Sequence, residues 1–505
     1  MSLGKRVTSG VSWLAVAQVA QRASSLVITA ILARHLSPED FGLIALAVLV
    51  INFITYFQEM GLTSALVQRA ELNDDHLDSA FWINIGAGLI LALVGGALSR
   101  PVSLIFNEPR IAPVIVVMMI ALPVNGLGWT SYSLLQRRLE FRTVALIEWV
   151  SSLASGLIGV GLALGGAGVW ALVAQNLSMS VFMAGGRFMG AKWYPRLRFN
   201  MQRARELFSF SLSAFGYGAV HHGIRNIDKV LIVRVLGAEA LGYYTLAYNL
   251  VLLPSLTICG IVERVMFPAL ASVQSDLARF RRVYVRLART VALATFPLII
   301  GLGATAPLFV KTVYGEKWGP VVPVLQILII MGLFEGINIT SRIFWSLGRP
   351  QLIFWLATLS LIVLTLGFAI GVQWGLAGVA WTYAIVSPVV FILPHLLANR
   401  LMKLGLKTFM RVLVLPLFAA TVMGIVITLL TARGFSPLSW DWANLSILIL
   451  IGAIVYAAVI AALGIFNVKG DGLISWLSGQ HLIEPEDESR TTIAGPELKE
   501  ANVIQ

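Results

Sequence analysis

Charge is what this chain has least of. Charged residues are 12% of its 505 positions, about half the share of a soluble domain, and so sparse a set excludes an ordinary solvated globular surface. Cysteine is almost missing as well. Cys259 is the single one and sits in an apolar run, so there is no disulfide framework and the redox compartment is not legible. The sequence also lacks a Gly-rich phosphate-binding loop, a nucleophile elbow and any metal-ligand cluster, the usual marks of an enzyme. Long polar segments are few: only 189–206, 268–289 and about forty residues at the C-terminus have any size outside the apolar stretches.

What is present is hydrophobicity, at 58% of residues. It is arranged in repeated stretches of about 20 residues or more, which predicts an all-α polytopic membrane protein. We read about fourteen transmembrane helices, near 11–34, 41–68, 79–98, 111–136, 141–164, 167–188, 207–236, 241–267, 290–310, 320–346, 351–373, 376–398, 409–431 and 443–466. Lys5 and Arg6 precede the first stretch as they would in a signal peptide. That stretch nevertheless runs on through Gln18, Gln21 and Arg22 with no small-residue cleavage site, so it reads as a retained span.

The net charge of +12 does not point to nucleic acid, because the basic residues lie in short tracts between spans. Placing the N-terminus in the cytoplasm puts most of the 37 Lys and Arg residues inside, as the positive-inside bias requires. The densest tracts, "KWYPRLRFNMQRAR" (192–205) and "RFRRVYVRLAR" (279–289), both fall there. In the second, Phe280, Val283, Tyr284 and Leu287 recur at helical spacing opposite the arginines, which predicts a helix lying on the cytoplasmic membrane surface.

One line is written twice. "LARHLSPEDFGLIALA" (32–47) and "IVRVLGAEALGYYTLA" (232–247) share Arg34/Arg234, Leu36/Leu236, Glu39/Glu239, Gly42/Gly242, Leu46/Leu246 and Ala47/Ala247. A second echo joins "GGAGV" (165–169) with "GLAGV" (375–379). Six spans separate the copies, so both face the same side. The expectation is two parallel six-helix repeats, 1–200 and 201–400, related by an axis along the membrane normal. Transmembrane helices 13 and 14 (401–470) lie outside the repeat, and 471–505 reads as a disordered, acidic cytoplasmic tail. The repeated residues have a structural reading: Ser37 caps span two, Pro38 suits its first turn, and Glu39 and Asp40 oppose the helix dipole. Gly237 and Glu239 can play that part for span eight.

Ionisable groups deep in spans are candidates for function, because each is costly to place there. Arg22 is at the middle of span one, on one face with Gln18, Gln21, Ser25 and Thr29; this stripe is expected to face a cavity. Span seven carries "HHGIRNIDK", with His221, Arg225, Asp228 and Lys229 at spacings of three and four. There, mutual neutralisation of Arg225 and Asp228 is the structural alternative to a binding role. Glu335, Asn338 and Arg342 share a face of span ten, and Glu59 gives span two a polar stripe. Glu148, Glu263 and Arg264 lie nearer the span ends. A guanidinium offers a planar fork of donors suited to phosphate oxygens, so arginines in both halves can hold a diphosphate head. Five basic and five acidic groups within the spans cancel, however, and composition alone does not make the cavity cationic.

Fourteen spans, "LSPEDFGLIAL" after span one, "LGAEALGYY" after "RNIDK", and the Gly-x-Ala-Gly-Val turns resemble the Wzx-like polysaccharide flippases. These form a branch of the MATE-related multidrug/oligosaccharidyl-lipid/polysaccharide superfamily, and the likeness is nearest to its colanic-acid and exopolysaccharide exporters. It covers about residues 1–470. The resemblance implies a two-lobed bacterial inner-membrane flippase for polyprenyl-pyrophosphate-linked oligosaccharide, with both termini cytoplasmic. No cofactor is expected; Glu335, Asp228 and Glu59, acids within the spans, are the candidates for proton or sodium coupling, and polysaccharide polymerase or export proteins are candidate partners. Arg22 and Arg225, and less closely Arg264, look like the cavity arginines of such proteins, and the polar faces add Lys229, Gln18 and Asn338 as candidate substrate contacts. The alternatives are a drug or cation antiporter of the same superfamily, which usually carries an acidic residue in span one where this chain has Arg22, and a membrane polysaccharide ligase or polymerase. The longest outer loop, "SRPVSLIFNEPR" (99–110), offers no paired carboxylates for the latter.

Overall fold

The joint between the first two helices shows local chemistry setting the course of the chain. In the computed structural model α1 (Leu3–His35) ends at a sharp turn and α2 (Pro38–Glu59) begins. Ser37 Oγ accepts from the Asp40 N–H at 3.1 Å, and Asp40 Oδ2 accepts from the Ser37 N–H at 3.0 Å. This reciprocal cap satisfies donors that the helix start would otherwise leave open, with Pro38 at the first helical position, as the sequence predicts.

The structure describes residues 3–59, 62–69, 71–202, 206, 223–272, 276–337, 344, 350–402, 404–435 and 437–463. Contacts divide the chain into a compact unit, Met1–Val459, and a second unit, Ile460–Gln505, of which 460–463 are described. The predicted acidic tail therefore lies outside the described residues. No strand occurs among those that are described.

After α2 come α3 (Leu62–Gln68), α4 (Asp74–Ala97), α5 (Ser99–Ile105), α6 (Ile111–Met118), α7 (Ala121–Arg137), α8 (Phe141–Leu164) and α9 (Val169–Ala191). The second half holds α10 (Ile227–Ser272), α11 (Leu277–Val313), α12 (Val321–Glu335), α13 (Pro350–Gly371), α14 (Gly375–Leu401), α15 (Leu406–Ala432) and α16 (Asp441–Ala462). Ten helical stretches among the described residues are long and apolar enough to cross a membrane. Two of the ten, Ile227–Gly260 and Phe354–Leu401, each take in parts of two predicted spans. The fold is thus all-helical and polytopic. α10 is bent at Gly237, whose φ of 89° lies in the region that glycine alone enters without strain. This bend stands where Ser37 and its turn stand in the first copy of the repeat.

One expectation is corrected. The arginine tract 279–289 is not a separate helix on the membrane surface but the first turns of α11, which runs unbroken for 37 residues. At 1.5 Å per residue that is about 55 Å, against a hydrocarbon core of about 30 Å. Its apolar stripe is spent on protein packing: Phe280, Tyr284 and Leu287 are fully buried, and Tyr284 stacks on Phe409 of α15 with centroids 5.6 Å apart.

Candidate functional site

The two copies of the repeated line meet. α2 crosses α10 so closely that a Cβ on Gly42 would collide with the Ala238 carbonyl, and one on Gly242 with the Pro38 carbonyl. Around the crossing the halves are laced together. The Arg34 guanidinium donates to the carbonyls of Thr312 and Val313, the latter at 3.0 Å. Lys317 Nζ donates to the carbonyls of Arg34 (2.9 Å) and Leu36 (2.6 Å), and Trp318 Nε1 to that of Ala33 at 2.9 Å. With the Asn107 amide turned so that both its ends find partners, its oxygen accepts from Arg234, the counterpart of Arg34, at 3.0 Å, just past the end of α5. Each repeated arginine therefore reaches a helix end in the opposite half of the chain.

Away from this clasp, Gln18 of α1 faces Gly260 of α10, where an added Cβ would sit 3.8 Å from its amide atoms. The Gln18 Oε1 is buried without a partner among the described residues. Arg22 is one turn further along the same face and is exposed, as is Ser25. The predicted polar stripe of α1 thus borders the boundary between the halves.

In the second half four predicted residues converge. Asp228 is fully buried; its Oδ2 accepts from Tyr244 Oη at 2.7 Å and its Oδ1 from the Lys229 N–H at 2.8 Å. Lys229 Nζ donates to Asn226 Oδ1 at 3.1 Å and lies 5.3 Å from the centroid of the Tyr248 ring. Arg225 and Glu335, both half-buried, lie within electrostatic reach of Tyr248. Tyr248 packs on Tyr383 of α14, and Tyr383 on Phe368. Lys229 is therefore engaged inside this cluster, beside a hydrogen-bonded carboxylate. Such a cluster can hold or release a proton or a small cation. The side chains of Glu59 and Arg264 lie outside the described structure, as do Asn338, Arg342, His221 and His222 altogether.

The tyrosines were not singled out from the sequence, although the repeat carries the signal. At the offset of 200, Asp228 stands where the first copy has Ile28, Lys229 where it has Thr29, and Tyr244 and Tyr248 where it has Ile44 and Val48. Three apolar positions of the first copy, Ile28, Ile44 and Val48, are polar together in the other half. Arg187 was missed for another reason: it is nearly at the end of span six, but α9 continues to Ala191. Its guanidinium is buried against Tyr132 and Trp129, 4.5 and 5.4 Å from the ring centroids, a placement that suits a desolvated cation.

The linker after α9 is strapped to the first half. Asp78 Oδ1 accepts from the Arg196 N–H at 2.9 Å, Arg196 pairs with Asp74 at 3.2 Å, and the Asn200 N–H donates to Ser79 Oγ at 3.0 Å. Glu206 pairs with Arg69.

The profile of the family described as "Polysaccharide biosynthesis protein" matches residues 31–323. The teichuronic acid biosynthesis protein TuaB of Bacillus subtilis is 29% identical over 84% of this chain and 89% of its own. The lipopolysaccharide biosynthesis protein WzxC of Escherichia coli is 29% identical over 67% of this chain and 69% of its own. The succinoglycan biosynthesis transport protein ExoT of Rhizobium meliloti is 28% identical over 73% and 74%. Among solved structures, the lipid II flippase MurJ superposes with a TM-score of 0.72 at 16% identity, covering 90% of this chain and 99% of that one. An inward-facing MATE-family multidrug transporter gives 0.60 at 14%, covering 77% and 99%. The fold is that of these transporters.

Proposed function

The chain belongs to the polysaccharide biosynthesis protein family, and from that premise we propose that it is a flippase for polyprenyl-pyrophosphate-linked oligosaccharide. It acts as a transporter, not an enzyme, in the bacterial inner membrane, with both termini in the cytoplasm. The observation that carries this reading is the stripe of Gln18, Arg22 and Ser25 on α1, which borders the boundary with α10. At mid-span a head group is about 15 Å from either interface, and a guanidinium kept there needs an anionic or hydrogen-bonding partner. A pyrophosphate supplies one through paired oxygens.

In the mechanism that follows, two lobes rock about an axis along the membrane normal. Arg22 and Arg225 hold the pyrophosphate while the lobes are open to the cytoplasm, with Gln18, Lys229, Arg264 and Asn338 completing the polar surface. The lipid tail stays in the bilayer and the glycan crosses in the water-filled gap. The clasp of Arg34, Lys317 and Trp318 closes the outer end during loading and must part for release. Asp228 and Glu335, gathered around Tyr248, and Glu59 in α2 are the coupling groups for a proton or sodium ion. Transport that persists unchanged after both gradients are collapsed would remove that coupling.

The test is the sidedness of lipid-linked oligosaccharide in cells lacking the protein, scored with a membrane-impermeant glycan reagent and with drug tolerance measured in parallel. Accumulation on the cytoplasmic face is expected, reversed by the wild type, partly by Arg22→Lys, and not by an Arg22→Ala variant that still reaches the membrane. Normal sidedness with lost drug tolerance would make the protein an antiporter.

A further inference from the structure

At the clasped end of the molecule lies a cavity of about 520 Å³ to which the transport reading gives no ligand. Arg34, the Lys311–Lys317 segment and the start of α16, with Asp441 and Trp442, line it. Lys311 sits among its acids, 3.6 Å from Asp441 and 4.0 Å from Glu316. Trp442 is more than half exposed, so its indole face is available at the rim. Thr312 and Tyr314, also in the lining, are almost fully buried and carry hydroxyls with no partner among the described residues.

The chemistry of this lining discriminates among ligands. The carboxylates of Glu316 and Asp441 repel a phosphate, and a site for an apolar drug would show little charge. Here an exposed aromatic face stands beside donors and acceptors at the surface: Lys311 to donate, Glu316 and Asp441 to accept. A sugar answers both with hydroxyls around a ring whose C–H face stacks on an indole. The volume falls within the range of small-molecule sites. Three cations against two carboxylates also leave room for a uronic acid.

We propose that this cavity is an oligosaccharide-binding subsite at the outer mouth, occupied by the glycan portion of the substrate. The proposal rests on the flippase reading for the identity of the glycan, and on the charge bias of the loops for the side of the membrane. Because Arg34 and Lys317 line the cavity and also bridge the halves, glycan binding and the closing contacts share side chains. The subsite therefore acts where the substrate is released.

The test uses the full-length protein in detergent and, as probe, short oligosaccharides made by acid hydrolysis of the host's own exported polysaccharide. Binding is followed by saturation-transfer NMR and titration calorimetry. Trp442→Ala is expected to weaken binding about tenfold, the scale of one lost aromatic contact. Trp442→Phe should restore most of the affinity, Lys311→Ala should weaken it, and Trp355→Ala, an exposed tryptophan outside the lining, should leave it within about twofold. Unaltered affinity in Trp442→Ala, even with a lowered melting temperature, would make Trp442 an interfacial anchor and overturn the proposal, as would absence of binding by the wild type. The sidedness assay separates the two readings. Defective sidedness with no glycan binding sinks the subsite alone, whereas normal sidedness sinks the flippase reading and leaves the binding result standing by itself.

Discussion

Gly42 and Gly242, 200 positions apart and identical in the repeated line, lie against each other's helices where α2 crosses α10, each excluding a Cβ through a backbone carbonyl opposite. Backbone cannot step aside as a side chain can. Gly42→Val and Gly242→Val are therefore expected to cost about 3 kcal/mol or more, at or above the usual range for overpacking. Gly96→Ala in α4, where an added Cβ meets nothing within 4 Å, is expected to be neutral or slightly stabilising. Thermal unfolding in detergent measures all three, and equal melting temperatures would contradict the close crossing.

The paired arginines make a second prediction. Arg34 reaches Val313 and Thr312, and Arg234 reaches Asn107, so either change to Ala should loosen the same end of the molecule. The reporter is a thiol at Thr29→Cys in a Cys259→Ser background, modified by a membrane-impermeant maleimide added from outside. Severalfold faster labelling is expected in Arg34→Ala and Arg234→Ala, and faster still in the double variant. Unchanged rates would mean that these contacts do not hold the outer end closed.

Tyr244 donates to a carboxylate that is wholly buried. Removing the hydroxyl leaves one acceptor oxygen unpaired, at a cost of about 1–3 kcal/mol. Tyr244→Phe should thus lower the melting temperature more than Tyr243→Phe, whose hydroxyl donates to Glu239 at the surface. A larger loss in the Tyr243 variant would show that the cluster is not what stabilises this half.

The linker strap is testable by proteolysis. Asp78 is buried and holds the Arg196 N–H, so Asp78→Ala frees the backbone around Arg196 and Arg198. Trypsin should then cut there severalfold faster in detergent-solubilised protein. The same rate as wild type would place the restraint elsewhere, in Asn200 or Glu206.

The N-cap of α11 sets a pH dependence. Asp276 Oδ1 accepts from the Ala278 and Arg279 N–H groups at 2.9 and 3.0 Å. Those bonds, the one from Arg279 first, hold its carboxyl below the usual aspartate range of about 3.8. A carboxyl depressed by folding adds stability that is whole above its unfolded pKa and fades as pH falls through the folded one. Amide exchange in the first turn of α11 should therefore accelerate only below about pH 4 beyond its intrinsic trend. In Asp276→Ala it should be fast at every pH, and a first turn that frayed alike in both proteins would refute the cap.

The candidate site was partly legible in advance. Arg22, Arg225, Asp228 and Glu335 stood out because ionisable groups inside apolar spans are conspicuous against their surroundings. Tyr244, Tyr248 and Tyr383 did not, since a tyrosine in an apolar helix is unremarkable until its hydroxyl is seen to meet a carboxylate. Lys229 shares helical spacing with His221 and Arg225, but its contacts with Asn226 and the Tyr248 ring are set by folding and not by that spacing. The arginine tract 279–289 misled because an amphipathic stripe has the same period whether it packs on lipid or on a neighbouring helix.

By itself the sequence determined that this chain is helical, polytopic and sparing of charge, because a bilayer demands long apolar runs whose backbone groups bond within the segment. It also determined, through the doubled line, that two distant segments are built alike. Only the tertiary structure decided that those segments touch, that their arginines cross to opposite halves, and that Asp228 finds Tyr244. Such facts depend on how each helix is rotated about its axis and which neighbour it meets. Packing between helices, with close approach at small residues, sets that choice, and no single helix carries it in its own hydrophobic pattern.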